Sequence, residues 1–193
     1  MKTGRELGHI ELEDHMLELL AKRRSIRKYT EERVSEELIE ALTEAALYSA
    51  SSRSLRPWEI VVVNDKNLIE ELSKAKARGS SFLAQAPLAF AVVGIPEQSD
   101  VWIEDTSIVS SNLLLEAEYL GLGACWIQIR NRFAGNGRES EKIVKELLGL
   151  PDDRTVESII AVGYPNESKQ PYTREELHWE KAHRNTYKKH ATR

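Results

Sequence analysis

A chain of 193 residues with 41% hydrophobic and 30% charged side chains has the composition of one soluble globular domain, not of a disordered segment, and a domain this size hides roughly 70% of the surface its unfolded chain exposes. The formal net charge is −4, so nothing global draws it to nucleic acid, and no apolar run approaches the ~20 residues of a membrane span. The lone cysteine, Cys125, excludes an intrachain disulfide and reads as a buried small hydrophobe; with no signal-peptide core at the N-terminus, the expected compartment is the cytoplasm.

Residues 1–13 are polar and weakly patterned, which predicts a loose arm. Asp14 is placed to cap a short helix to about Lys22, with Met16, Leu17, Leu19 and Leu20 as its apolar residues. Ser35 is placed to cap a second helix to about Ser49, where Leu38, Leu42 and Ala45 or Ala46 recur at helical spacing. A polar loop, Ser51 to Pro57, leads into a strand from Trp58 to Val63. Asn64 or Asp65 caps a helix over 66–77, and the apolar run Ala86 to Gly94 is a second strand. Asp105 opens a long helix to about Leu120, ended by Gly121 and Gly123. Ala124 to Ile129 is the third strand, 139–148 a helix stopped by Gly149, and Val156 to Val162 the fourth strand, stopped by Gly163-Tyr164-Pro165. The last 28 residues carry Trp179, Tyr187 and many charges but no core of their own. Such alternation predicts a sheet covered on both faces, and taken alone it suggests parallel strands.

Familiar nucleotide and hydrolase signatures fail. Gly121-Leu122-Gly123-Ala124-Cys125-Trp126 lacks a third glycine, and it follows a helix and precedes a strand, the reverse of a dinucleotide loop. The sequence holds no GxxxxGK[ST], HExxH or GxSxG. His9, His15, His178, His183 and His190 show no metal-ligand spacing, so no metal site is expected.

What remains is Lys22-Arg23-Arg24-Ser25-Ile26-Arg27-Lys28-Tyr29 at the exit of the first helix. One reading is a basic helix C-terminus that complements the dipole. The other is a phosphate site, because three guanidinium forks and a hydroxyl within five residues can converge on phosphate oxygens.

Arg23-Arg24-Ser25-Ile26-Arg27 resembles the RRSxR start of the nitroreductase family, and further matches follow in family order. Ser51-Ser52-Arg53-Ser54-Leu55-Arg56-Pro57-Trp58 resembles its S-[AS]-x-N-x-Q-P-W loop. Asp105 through Asn112 to Gly121-Leu122-Gly123-Ala124-Cys125-Trp126-Ile127 resembles its long central helix and GLGxxWI turn, and Gly163-Tyr164-Pro165 its G-Y-P. In the tail, Glu180-Lys181-Ala182-His183-Arg184-Asn185 resembles the E-K-x-H-x-N segment of short, single-domain members.

The resemblance implies an α+β fold, with a central, mostly antiparallel sheet flanked by helices, in an intertwined homodimer. Residues 1–193 would form one FMN-binding domain, with 166–193 a tail packed on the partner subunit. Arg23, Arg24, Ser25 and Arg27 would hold the FMN phosphate and ribityl chain. Ser51, Ser52, Arg53 and Ser54, lent by the partner, would lie beside the isoalloxazine ring. Trp126, Ile127, Gln128 and Ile129 would pass along one ring face near N5. Lys181 and His183 would return to the phosphate, although a solvated face is an equal reading of the tail. Serine and arginine at 54 and 56 depart from the family's Asn and Gln, which makes Arg56 a substrate-pocket candidate at the mouth of the site. Trp102 is a second such candidate, as a small lid or an ordinary packed tryptophan. The activity implied is hydride transfer from NADH or NADPH to flavin N5 and on to a nitroaromatic, quinone or similar acceptor in ping-pong order. No side chain is required as a dedicated acid or base. A flavin reservoir or sensor without turnover, or a flavoenzyme of another reaction type on the same fold, are the competing expectations. The partners expected are a second copy of the chain and a small-molecule acceptor, with neither nucleic acid nor membrane.

Overall fold

A computed structural model describes residues 6–7, 10–11 and 15–187. Asp14 and most of the expected arm lie outside the described residues, as do His9, His190 and the end of the tail. Two short strands, β1 (Glu6–Leu7) and β2 (Ile10–Glu11), pair antiparallel ahead of α1 (His15–Lys22).

The main sheet has the order β3 (Trp58–Val63), β4 (Leu88–Gly94), β6 (Thr155–Gly163), β5 (Gly123–Gln128), and every neighbouring pair is antiparallel. The expectation of parallel strands from alternation alone is therefore corrected, and the antiparallel sheet implied by the family is found. The reason lies in the connections. After β3 the chain goes out along α3 (Lys66–Ser73) and returns through the 3-10 turn Ser81–Gln85, so it re-enters the sheet at the end it left. Helical periodicity does not reveal that second leg.

All seven residues of β4 are buried, and alternate side chains feed two cores. Leu88, Phe90, Val92, Ile160 and Val162 pack against Leu42 and Ala46 of α2 (Glu36–Leu47) and Val109, Leu113 and Ala117 of α4 (Trp102–Tyr119). Ala89, Ala91, Ile159 and Ala161 face Ile69, Leu72, Leu83 and Val144, the last on α5 (Ser140–Leu148). The small residues at 89, 91 and 161 let this second layer sit close. Each fully buried Leu, Ile or Phe contributes roughly 1.5–3 kcal/mol.

Local signals explain most boundaries. Ser35 Oγ accepts from the Leu38 N–H at 3.4 Å, and Asp65 Oδ1 from the Leu68 N–H at 2.8 Å, so both act as N-caps. Gly149, at φ +66°, ends α5 in the left-handed conformation. Two helices stop earlier than expected, α2 at Leu47 and α3 at Ser73. The long helix starts earlier, at Trp102, because Asp105 is not its cap: it is 97% buried and bonded to the loop before β3. Gly121 turns the chain out of α4 at φ +75°, whereas Gly123 lies inside β5.

Candidate functional site

Beyond Lys22 the chain runs extended beside β5. Ser25 forms a parallel bridge with Ala124, and the Ile26 N–H donates to the Ala124 carbonyl at 3.0 Å. Gly123 makes the approach possible: a Cβ there would lie 2.7 Å from Ile26 Cγ2. On its other side the segment is tied to the chain leaving β6. Tyr29 bridges Pro165, Thr30 N–H donates to Tyr164 O, and Asn166 N–H donates to Lys28 O. Ile26 and Tyr29 are buried, and the Tyr29 hydroxyl donates to Ile26 O at 2.6 Å; burial pushes that phenol's pKa far up.

With Ile26 and Tyr29 turned inward, the basic residues gather on the outer side. Arg24 donates to the Gln170 carbonyl and stacks 4.2 Å over the Tyr172 ring. Arg27 lies 5.7 Å over Phe82. Among the described residues no carboxylate pairs with the guanidinium of Arg23, Arg24 or Arg27. Glu167 is near, but it accepts the backbone N–H of Arg27 at 2.6 Å, a bond that holds its carboxyl below the usual range. Lys169 donates to the Ser25 carbonyl and lies 3.6 Å from Glu167. Sequence reading missed Glu167 and Lys169, because only the return of the chain after Pro165 brings them here. Residues 166–172 thus lie along their own chain. Lys181 and His183 lie further on, Lys181 in the exposed turn Trp179–Lys181 and His183 with its ring 4.5 Å from that of Tyr187.

Ile127 and Ile129 point into the core and are fully buried, so the side chains left beside the open edge of β5 are Trp126 and Gln128, both half-buried. The Trp126 indole N–H donates to Gln128 Oε1 at 3.0 Å. The Gln128 amide group donates to the carbonyls of Arg130 and Glu157 and to Glu157 Oε1 at 3.2 Å. Glu157 is 3% exposed, and its Oε2 has no partner among the described residues; burial pushes its pKa up. The Cys125 thiol is likewise pushed up by burial, as befits a packed residue and not a reactive one.

The serine loop is a separate construction. Within it Arg53, Ser54 and Arg56 have φ of 52°, 54° and 49°, and such left-handed non-glycine residues cost roughly 1–3 kcal/mol each. Asp105 anchors it, accepting from the Ser52 N–H at 2.9 Å and from Ser99 Oγ at 3.3 Å. Ser51 Oγ accepts from the Arg56 N–H at 2.9 Å, and Arg53 pairs with Asp100 at 2.9 Å in an exposed contact of little weight. The Arg56 side chain is exposed. Trp102 sits in the first turn of α4, packed over Gly94, with Arg130 5.8 Å above its ring.

Strand register fixes how far apart these parts are. Ala124 stands opposite Val162, and Val162 opposite Leu88, at one end of the sheet; Trp58, Gly94 and Thr155 align at the other. The arginine segment flanks edge strand β5, and the serine loop enters opposite edge strand β3. Three strand spacings across and about six residues along, from the Leu88 end of β4 to its Gly94 end, separate them by on the order of 25 Å. A cleft of about 790 Å³, lined among others by Tyr29, Arg33, Asn64, Lys66, Pro87 and Asn166, holds none of the expected site residues. Among the described residues no group of three or more His, Cys, Asp or Glu could hold a metal ion, and no helix is long and apolar enough to cross a membrane.

The Nitroreductase family profile matches residues 20–80 and 71–164. An Archaeoglobus fulgidus protein, provisionally named NADH dehydrogenase/NAD(P)H nitroreductase, is 34% identical over 82% of this chain and 90% of its own length. The structure of an FMN-dependent nitroreductase from Clostridium difficile R20291 superposes with a TM-score of 0.87 at 43% identity, covering 89% of this chain and all of that one. The NADPH:FMN oxidoreductase of Vibrio harveyi, solved with NAD+, superposes with a TM-score of 0.74 at 26% identity, covering 91% of this chain and 79% of that one.

Proposed function

This chain belongs to the nitroreductase family, and from that premise we propose that it is an NAD(P)H-dependent FMN oxidoreductase acting as a homodimer. The observation that carries the reading is the basic segment docked on β5. Among the described residues its guanidinium groups have no carboxylate partners, and it lies along β5, whose Trp126 and Gln128 are half-buried. A cluster of unneutralised guanidiniums suits a dianionic phosphate.

Arg23, Arg27 and Ser25 would hold that phosphate, with Arg24 braced by Gln170 and Tyr172 and Lys169 adding a further cation. Trp126 and Gln128 would flank the flavin ring, while Ile127 and Ile129 contribute backbone only. When bound, the group supplies hydride acceptance from NADH or NADPH at N5 and delivery to a nitroaromatic, quinone or related acceptor in ping-pong order. The residues of the chain bind, orient and shield; none is needed as a dedicated acid or base.

The separation of the serine loop from the arginine segment supports a dimer, since Ser51, Ser52, Arg53 and Ser54 can complete a site only on a second copy. Exposed apolar residues give such a copy surfaces to cover: Met16, Leu17 and Leu20 on α1, Leu47 and Tyr48 at the end of α2, and Leu177, Trp179 and Tyr187 in the tail. The tail from residue 173 onward, with Lys181 and His183, would reach across. Arg56 and Trp102 would stand at the mouth of the site, and the cytoplasm is the compartment that goes with this reading.

The test is the visible spectrum of the purified protein without oxygen. We expect a yellow protein whose flavin bleaches with NADH or NADPH and recovers on adding a quinone. A flavin that stays oxidised with both nucleotides would replace this reading with that of a flavin-binding module without turnover.

A further inference from the structure

The side-chain amide of Gln128 is engaged at both ends. Its Oε1 is taken by the Trp126 indole, and its amide nitrogen faces three oxygens: Arg130 O, Glu157 O and Glu157 Oε1. That orientation has one solution. Turning the amide over would set its oxygen against three acceptors and its NH2 against an indole N–H, so every contact would be repulsive. The strongest of the three acceptors is the Glu157 carboxyl. Glu157 sits where the β4–β6 register shifts: Val92 pairs with Ser158 and Val93 with Val156, leaving Glu157 without a partner across the ladder. The bulge turns a carboxyl into the interior at 3% exposure, with Oε2 unpartnered among the described residues, where an apolar residue would cost far less. Burial raises its pKa against the pull of Ser158, Gln128 and Arg130. A group kept in so unfavourable a place calls for a role, and the one thing its side chain holds on β5 is Gln128.

We infer that Glu157 is a positioning residue which, through the amide of Gln128, fixes the indole of Trp126 against the flavin ring. The inference rests on the FMN reading above. Oε1 of Glu157 sets the amide, the amide receives the indole N–H, and the indole keeps one orientation beside the open edge of β5. Trp126 is one of the two side chains at that edge, so its angle shapes the surroundings of the ring.

The test is an FMN titration of the apo-protein, with visible circular dichroism of the bound flavin, which reports the fixed surroundings of the ring. Glu157→Met keeps the chain length and removes both oxygens. It is expected to weaken FMN binding roughly two- to tenfold, the range for one lost hydrogen bond, and to change the dichroic band. Glu157→Gln keeps an acceptor for Gln128 and is expected to restore both. In a Trp126→Phe background, which lacks the indole N–H, Glu157→Met is expected to change nothing further. An unchanged dichroic band and affinity in Glu157→Met, or an effect that persists undiminished with Phe at 126, would overturn the inference while leaving the FMN reading intact. Should Glu157→Met fail to fold, Gln128→Met enters the same cycle with the same expected outcomes. A wild-type protein that binds no FMN would overturn both.

Discussion

Arg23 and Arg27 differ from Arg24 in what already holds them. Arg24 is committed to a carbonyl and a tyrosine ring of its own chain, while Arg27 has only a distant phenyl ring and Arg23 no ion-pair partner among the described residues. A ligand phosphate therefore gains most from Arg23 and Arg27, through charge-assisted bonds worth roughly 1.5–3 kcal/mol each. Replacing both with alanine is expected to weaken FMN binding about 100-fold or more and to leave the far-ultraviolet circular dichroism unchanged. Equilibrium titration checks this, and unaltered affinity would remove the phosphate assignment. The charged run itself was visible in the sequence, where a helix C-terminus and a phosphate site were both open readings and the RRSxR pattern singled out the second. The burial of Glu157 and Asp105 was not legible there. Glu157 in a strand reads as solvated and Asp105 as the opening residue of a helix; the bulge buries the first and the docked loop the second. Ile127 and Ile129 show the reverse: the motif that flags them does not say which strand face they occupy, and alternation turns both inward.

At the scale of elements, strands were the most legible part. β3 falls where its run of apolar residues predicts, although as an edge strand it leaves Glu59 and Val62 exposed. Helix ends were less so: α2 ends at Leu47 and α3 at Ser73, and the chain goes on to bury Ser49 and Ala75 outside any helix. The sequence also offers Gly121 and Gly123 as a pair of helix terminators, and the structure divides their labour. Gly121 turns; Gly123 is a docking surface for Ile26, and thereby holds the arginine segment in register with β5. Gly123→Ala would press a methyl group on the Ile26 Cβ and Cγ2 atoms at 2.8 and 2.7 Å. The expected result is a loss of about 1–3 kcal/mol in stability, seen as a lower Tm, together with weaker FMN binding. Gly121→Ala, with open space around it, strains the turn alone. If Gly123→Ala lowers Tm but leaves FMN affinity untouched, the segment's register does not matter for binding.

For the whole molecule, the described tail divides near Tyr172. Up to there its residues are bonded to α1 and the arginine segment; beyond it Leu177, Trp179 and Tyr187 stand exposed and contribute no buried side chain to either core. A chain ended after Tyr172 is therefore expected to keep its fold and lose dimer stability. Light scattering at decreasing concentration should show a monomer where the full chain is still dimeric. A truncated protein that remains dimeric with bound flavin would show that the tail is not what joins the copies.

The distance between the arginine segment and the serine loop has a consequence for inheritance. If each site takes its arginines from one copy and its serines from the other, two different defects can hide each other. A chain lacking Arg23 and Arg27 and a chain altered at residues 51–54 would each be inactive alone. Produced together, they would assemble mixed pairs in which one site gathers both defects and the other is wholly intact. Such pairs would recover half the flavin of the normal protein, and two recessive alleles would complement within a single gene. Were each site built from one copy alone, no mixture of the two chains would regain any activity.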